Sequence, residues 1–210
     1  AVSSGAGQLI LTDEHQGEGR VAMPMILATS AVHSWLTRKG LRTFCSINVR
    51  SAECIDPHYF AVLIGAGATT VNAYLAQDSI ADRIRRGLIE GSLVDAMRRY
   101  GYAVDAGLLK IMSKMGISTI PSYRGAQIFE AVGIASSVIE KYFSGTPSRI
   151  EGVTLDDIER EVRSLHDSAY PQDGINGDFE LDPGGQYQWR RFGESHSINP
   201  DSVESLQKAV

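Results

Sequence analysis

The sequence predicts an α/β fold: a partial parallel sheet of repeated βα units, an incomplete barrel-like domain, followed by a mainly helical and loop-rich tail. Three observations carry that prediction. Short apolar runs alternate with longer amphipathic ones up to about residue 134, the pattern that separates βα units from all-helical or all-β plans. Glycines and prolines punctuate the boundaries between the runs. Beyond Gly133 the rhythm changes to two helical pieces and then a polar, glycine-rich stretch over 171–185. Repeated strand, helix, strand connections make a parallel sheet the economical solution. The implied divisions are 1–134 for the α/β part, 135–170 for a helical connection and 171–210 for a mobile linker with a short strand and helix.

Residues 8–12 read as a buried strand, and the loop 13–20 follows. Pro24 suits the first turn of a helix that carries Met25, Ala28, Val32, Trp35 and Leu36 on to a stop at Gly40. Residues 43–49 form a second strand, because Thr, Phe, Ile and Val lie there between a glycine stop and the polar Arg50, Ser51 and Glu53. Asp56-Pro57 is an N-cap followed by proline at the first helical position, opening a short helix through Ile64. Residues 69–74 form a third strand, and Asp78 caps a helix over 79–86. The text from 92 to 115 is helical but holds Gly101 and Gly107, which predicts two or three short helices. Residues 117–120 read as a fourth strand and 126–132 as a fourth helix. Further helices are expected over 136–143 and 154–166, the second opened by Thr154 and Asp157 as a cap. Residues 186–191 alternate well enough for an edge strand, and Pro200 leads into a last short helix.

Composition narrows the function classes. With 25 Asp+Glu against 20 Lys+Arg the formal charge is −5, which disfavours nucleic acid as a partner. The most apolar stretches fall short of the roughly 18 continuous residues of a membrane helix, so no membrane partner is expected. Cys45 and Cys54 are too few for a disulfide scaffold or a cluster ligated by this chain alone, and a reducing cytoplasm fits them best. The chain opens at Ala1, compatible with processing or with a piece of something longer.

Chemistry in parallel α/β folds collects in loops at the carboxyl ends of strands. On the elements above, those loops carry Asp13, Glu14 and His15, then Arg50, Ser51 and Glu53, then Asn72 and Tyr74, and finally Ser122, Tyr123 and Arg124. Asp13 to His15 places carboxylates and an imidazole near one another, as proton transfer requires, yet neighbours in sequence often point apart and a solvated loop is the plainer reading. Gly65-Ala66-Gly67 has the start of a dinucleotide fingerprint, but Thr70 stands at its third position and a helix stop is favoured. Cys45 reads as inert packing in a strand. Cys54 reads as the more exposed thiol, beside Glu53 and Asp56, which would raise its pKa. His33 reads as a packed helix residue, and Arg83, Arg85, Arg86, Arg98 and Arg99 as a solvated basic face. No histidine and carboxylate set has metal-ligand spacing.

Longer motifs add a resemblance. Gly107-Leu-Leu-Lys-Ile-Met-Ser-Lys-Met-Gly-Ile-Ser-Thr119, followed by Ser122-Tyr-Arg-Gly-Ala-Gln-Ile-Phe-Glu-Ala-Val-Gly133, closely resembles the large subunit of glutamate synthases. Ile10-Leu-Thr-Asp13, Met23-Pro-Met-Ile-Leu-Ala28, His58-Tyr-Phe-Ala-Val-Leu-Ile-Gly65, Asn72-Ala-Tyr-Leu-Ala76, Ser148-Arg-Ile150, Gly185-Gln-Tyr-Gln-Trp-Arg-Arg191 and His196 with Asn199-Pro200 fall in the family's order. Two positions depart from it: only His33 stands where the family runs several histidines together, and Ala73 replaces a common proline between Asn72 and Tyr74.

The resemblance implies the end of the central domain and the lead-in to the flavin-binding synthase domain. In that family the full subunit hydrolyses glutamine at an N-terminal cysteine, passes ammonia through an internal path and makes glutamate from 2-oxoglutarate at FMN. Electrons arrive through an iron–sulfur cluster from a NADPH-dependent small subunit or ferredoxin. The resemblance implies no catalytic, cofactor-binding or metal residue in this stretch. Asp13, His15, Asn72, Tyr74, Ser122, Tyr123 and Arg124 are left as loop residues or residues facing the ammonia path, with Arg124 able to tie its loop to a carboxylate or to carbonyls of a neighbouring domain. Partners would be the glutaminase and FMN domains of the same polypeptide. The rival reading is a free-standing α/β module that holds a small anion at its strand-end loops with Arg124 as the cation.

Overall fold

Apolar residues alternating along the strands decide which side of the sheet is covered. In the computed structural model, which describes residues 1–171, 184–186 and 188–209, β1 (Gln8–Thr12), β2 (Ser46–Arg50) and β3 (Thr70–Asn72) form a parallel sheet in that order. The register sets Leu9 beside Ile47, Leu11 beside Val49, and Val49 beside Val71. These side chains share one face, because successive residues of a strand point to opposite sides. Ile47 and Val49 are fully buried there against Met25 and Leu36 of α1 (Met25–Arg38) and Phe60 and Leu63 of α2 (Pro57–Gly65). Burying each such side chain contributes roughly 1.5–3 kcal/mol. The opposite face holds Ile10, Asn48 and Thr70, with Ile10 65% exposed and the Thr70 hydroxyl donating to Asn48 Oδ1 at 2.8 Å.

Local chemistry places the helices. Asp56 caps α2 by accepting from the Tyr59 amide at 2.9 Å, and Pro57 occupies the first turn, as its sequence requires. The next helix, α3 (Tyr74–Arg85), starts directly off β3, so Asp78 lies inside it and is not its cap. Buried Ala73 packs into the main core at that corner, and packing takes the place of a polar cap.

The stretch expected to break at two glycines is one helix of 23 residues, α4 (Leu93–Met115), opened by Ser92 and closed by left-handed Gly116. Its glycines do different things. Gly107 abuts Pro57 so closely that a Cβ there would lie 2.7 Å from Pro57 Cγ and closer still to Pro57 Cβ, whereas Gly101 has nothing within 4 Å. Tertiary contact with α2 therefore overrides the intrinsic cost of glycine in a helix, about 1 kcal/mol.

Three further expectations are corrected. The second strand begins at Ser46 because Arg42–Phe44 form a 3-10 turn. Residues 117–120 do not form a strand: α5 (Ile120–Tyr123) starts there, favoured by Pro121 in its first turn, while Ile117 and Ile120 pack beside Tyr123 and Met112. Residues 126–132 do not form a helix. They lead into β4 (Ala131–Ile134), which pairs in parallel, through α6 (Ser136–Tyr142), with β5 (Ser148–Val153) in a second, two-stranded sheet. The sequence reading has no strand at β5, since Arg149 and Glu151 make it polar and the strand is mostly exposed.

Helix α7 (Leu155–Ala169) opens with the expected cap, in which Thr154 and Asp157 exchange hydrogen bonds. The chain divides into two units, Ala1–Tyr170 and Pro171–Val210. In the second, Pro200 opens α8 (Pro200–Ala209), while Gln186 and residues 188–191 carry no strand. Residues 172–183 of the linker expected to be mobile, 171–210, lie outside the described residues, as does Tyr187 of the expected edge strand. The strands that are described form open parallel sheets of three and two strands and no closed barrel. Among the described residues no helix is long and apolar enough to cross a membrane.

Candidate functional site

The carboxyl ends of β1, β2 and β3 gather three of the four predicted loops into one polar cluster. Asp13, 7% exposed, accepts from Ser51 Oγ at 2.6 Å and from the Ala52 amide at 3.0 and 3.1 Å. Ser51 Oγ in turn accepts from the Glu53 amide at 3.1 Å. Beside them Arg50 grips Glu14 in a fork, Nε to Oε2 at 2.5 Å and Nη2 to Oε1 at 2.6 Å, and donates Nη1 to Asn72 Oδ1 at 2.5 Å. The fork holds the Glu14 carboxyl below its ordinary range, chiefly through the Arg50 hydrogen bond. The guanidinium also lies 5.0 Å from the centre of the Tyr74 ring. Burial first, and then the Asp13 carboxylate, push the Tyr74 hydroxyl up to about 12.

Asp13 and His15 line the same shallow cleft with Arg20 and Met25, but Asp13 is buried and His15 is exposed. Glu53 reaches the other way, accepting from the Met25 amide at 3.0 Å and from the Tyr59 hydroxyl, and so ties the starts of α1 and α2 together. Desolvation, followed by that carboxylate, raises the Tyr59 hydroxyl's pKa. Each polar group of this cluster is answered by another. The arrangement knits three strand ends and two helix starts, and it sets no nucleophile beside a free base.

Ser122, Tyr123 and Arg124 are not part of it. With no strand at 117–120, they sit on and after α5, and Arg124 Nε donates to the carbonyl of Ala68 at 3.0 Å, just before β3 begins. That is the amino end of the sheet, opposite Asp13 and Arg50. Tyr123 is 1% exposed, edge-on to Phe129 at 6.3 Å between ring centres, and its hydroxyl has no partner among the described residues. Ser122 Oγ is exposed and accepts only from Thr119 Oγ1, at 2.8 Å.

At the same end stands Arg42, which the sequence reading missed because nothing distinguishes it within its run. It donates to His33 Nδ1 at 3.0 Å, to the Cys45 carbonyl at 2.7 Å and to the Gly67 carbonyl at 2.8 Å. Burial, followed by the Arg42 charge, lowers the His33 pKa, so the ring is held neutral with Nδ1 as acceptor and the proton on Nε2. Gly65 lies at the carboxyl end of α2 and Gly67 has φ 117°, so this glycine pair stops a helix and offers no helix start to a phosphate. In the basic group, Arg85 and Arg86 pair with Asp82, Arg98 with Asp95, and Arg99 with the Glu90 carbonyl, all at the surface.

Both cysteines are buried, Cys54 completely, which corrects the expectation of an exposed Cys54. Desolvation first, then Glu53 and Asp13, push its thiol up to about 12 from the usual 9.0. The folded chain thus holds this proton more tightly than the unfolded chain. Its stabilising effect is complete below about pH 9 and is lost as pH rises toward 12. We expect native protein at pH 8 to resist iodoacetamide at both cysteines and to label fully in denaturant. A Cys54→Ala variant should lose less stability than the parent between pH 8.5 and roughly pH 10.5, read as the shift in urea midpoint. Native labelling of Cys54 at the unfolded rate would refute its burial.

Comparison with known proteins agrees with the motifs. A family model described as glutamate synthase central domain matches residues 1–135. Over its whole length the chain is 51% identical to the NADPH glutamate synthase large chain of Azospirillum brasilense and 46% identical to that of Bacillus subtilis. It is also 40% identical to ferredoxin-dependent glutamate synthase 2 of Synechocystis. The chain spans 14% of the length of each of these three curated relatives. A model that covers well over half of the residues, joined to identities of this size along the rest, leaves one conclusion: the chain belongs to the glutamate synthase central domain family.

Proposed function

We propose that this chain serves as scaffold between the glutaminase domain and the FMN-binding synthase domain of a glutamate synthase large chain, and forms part of the wall of its ammonia path. The observation that supports this reading is the polar cluster at the strand ends, where Asp13, Ser51, Glu14, Arg50 and Asn72 answer one another. Groups spent on holding loops together are the mark of a support. The whole enzyme would convert glutamine and 2-oxoglutarate to two glutamates in the cytoplasm, with electrons from a NADPH-dependent small subunit or ferredoxin.

The described residues do not fit either cofactor of that reaction. An iron–sulfur cluster needs converging thiolates, whereas Cys45 and Cys54 are buried in the core. Among the described residues no three His, Cys, Asp or Glu side chains converge as a metal site requires. The phosphate of FMN needs backbone amides such as those of a helix start, and Gly65 to Gly67 sit at a helix end. We infer that FMN and the cluster are held by other parts of the polypeptide. The rival module, an anion held at strand-end loops by Arg124, loses its geometry because Arg124 lies at the opposite end of the sheet.

Purified chain is expected neither to hydrolyse glutamine nor to retain flavin, and one flavin per chain after dialysis would overturn the scaffold reading. In the whole large chain, Ser122→Trp and His15→Trp each place bulk at an exposed wall position. At least one should release more free ammonia per glutamate formed, while glutamine hydrolysis and synthesis from added ammonium persist. Unchanged coupling in both would remove the path-wall role.

A further inference from the structure

Seven arginines of the described residues meet a carboxylate oxygen at 2.5–3.4 Å. The other eight do not, and six of those are exposed; Arg42 and Arg124 are the two that are not. Both are half-buried, and among the described residues neither guanidinium has a carboxylate within 4 Å. They bind consecutive peptide units: Arg42 Nη2 donates to the Gly67 carbonyl at 2.8 Å and Arg124 Nε to the Ala68 carbonyl at 3.0 Å. The Gly125 amide, next to Arg124, is fixed on the Gly65 carbonyl at 3.0 Å. The His33 ring packs against Gly67 and Gly125, and a Cβ on Gly125 would lie 3.3 Å from it. This neutral ring thus backs the pair without compensating its charge.

The charges are also arranged for use. Arg42 spends all three of its nitrogens on His33, Cys45 and Gly67, whereas the two terminal nitrogens of Arg124 meet no acceptor among the described residues. A guanidinium locked through Nε presents its terminal N–H groups as a fork, the geometry that matches a carboxylate. Burial first, and to a lesser degree repulsion from the Arg124 charge, lower the Arg42 pKa. An anion between them removes that repulsion, and in a chain of net charge −5 this local excess of positive charge is not a general property of the surface.

We propose that Arg42 and Arg124 together form a receptor for one carboxylate group, seated at the amino end of the three-stranded sheet. The group is either a side chain of another domain of the polypeptide, which rests on the scaffold reading above, or a small free carboxylate.

Acetate is the probe, with chloride at equal ionic strength as control. Acetate should raise the melting temperature of the chain saturably and slow phenylglyoxal modification of Arg124, read by mass spectrometry, while exposed Arg149 reacts as before. Arg124→Gln should abolish the acetate increment, Arg124→Lys should keep part of it, and Arg99→Gln should keep all of it. Equal effects of acetate and chloride would overturn the proposal, as would an undiminished acetate increment in Arg124→Gln. This arm uses the chain alone, so it stands or falls independently of the scaffold reading. The same footprint on the whole large chain separates the sources. Protection of Arg124 without added acetate, lost when one acidic residue outside this chain is neutralised, identifies a domain carboxylate. Protection that still requires acetate identifies a small free carboxylate.

Discussion

Replacing Asp13 by alanine is expected to lower the stability of the chain by about 3 kcal/mol, because hydrogen bonds to a charged acceptor contribute roughly 1.5–3 kcal/mol and their loss strands buried donors. The donors are specific. Ser51 Oγ is fully buried and gives its proton to Asp13, and the Ala52 amide is aimed at both carboxylate oxygens. For a domain of this size such a loss corresponds to a fall of roughly 6–12 °C in melting temperature. Asp13→Asn keeps the shape but turns one acceptor into a donor facing Ser51, so it should fall between alanine and wild type. Glu14→Ala, one residue away, should cost a small fraction as much, since its bond to Arg50 is made at the solvent-exposed surface. Thermal melts of the three variants would check this order, and equal effects of Asp13→Ala and Glu14→Ala would contradict the buried role of Asp13.

The second large effect concerns a pair of glycines in α4, where the same substitution should act with opposite signs. Gly101→Ala places a methyl group in open space and improves a helix interior, so stability should rise by roughly 0.5–1 kcal/mol. Gly107→Ala meets Pro57, whose ring is fixed to its backbone and cannot swing aside. Either α4 moves off the start of α2 or Pro57 leaves the first turn, and overpacking of this kind costs typically 1–3 kcal/mol. Gly107→Leu should be worse and should reduce the yield of folded chain. Urea unfolding of the two alanine variants decides the matter: equal and positive shifts would mean that α4 and α2 do not approach as described.

Legibility of the fold followed how local each signal was. Asp56-Pro57 and Thr154 with Asp157 carry their caps within four residues, and both helices begin where the sequence places them. Residues 117–132 failed for the opposite reason. An apolar run of four cannot be told from the flank of a short helix by period alone, and Pro121 settles it only once Tyr123 and Met112 are packed nearby. The site behaved likewise. Loop positions after β1, β2 and β3 were readable because strand order in a parallel unit brings their carboxyl ends together, whereas Ser122 to Arg124 were placed with them only through a strand that does not form.

By itself the sequence determined the parallel βα plan, the three strand-end loops and, through long motifs at 107–133, the family to which the chain belongs. It did so because alternation of apolar residues, caps and family motifs are written in neighbouring positions. Only the tertiary structure decided which way each loop residue turns, burying Asp13 and Cys54 while leaving His15 in solvent. It alone made α4 one helix, since Gly107 is an opening for Pro57 and not a break. It alone set Arg42 and Arg124, which stand 82 positions apart, on the adjacent carbonyls of Gly67 and Ala68. Contacts of that kind depend on burial and on the path of the chain through space, and neither is encoded in any short window of residues.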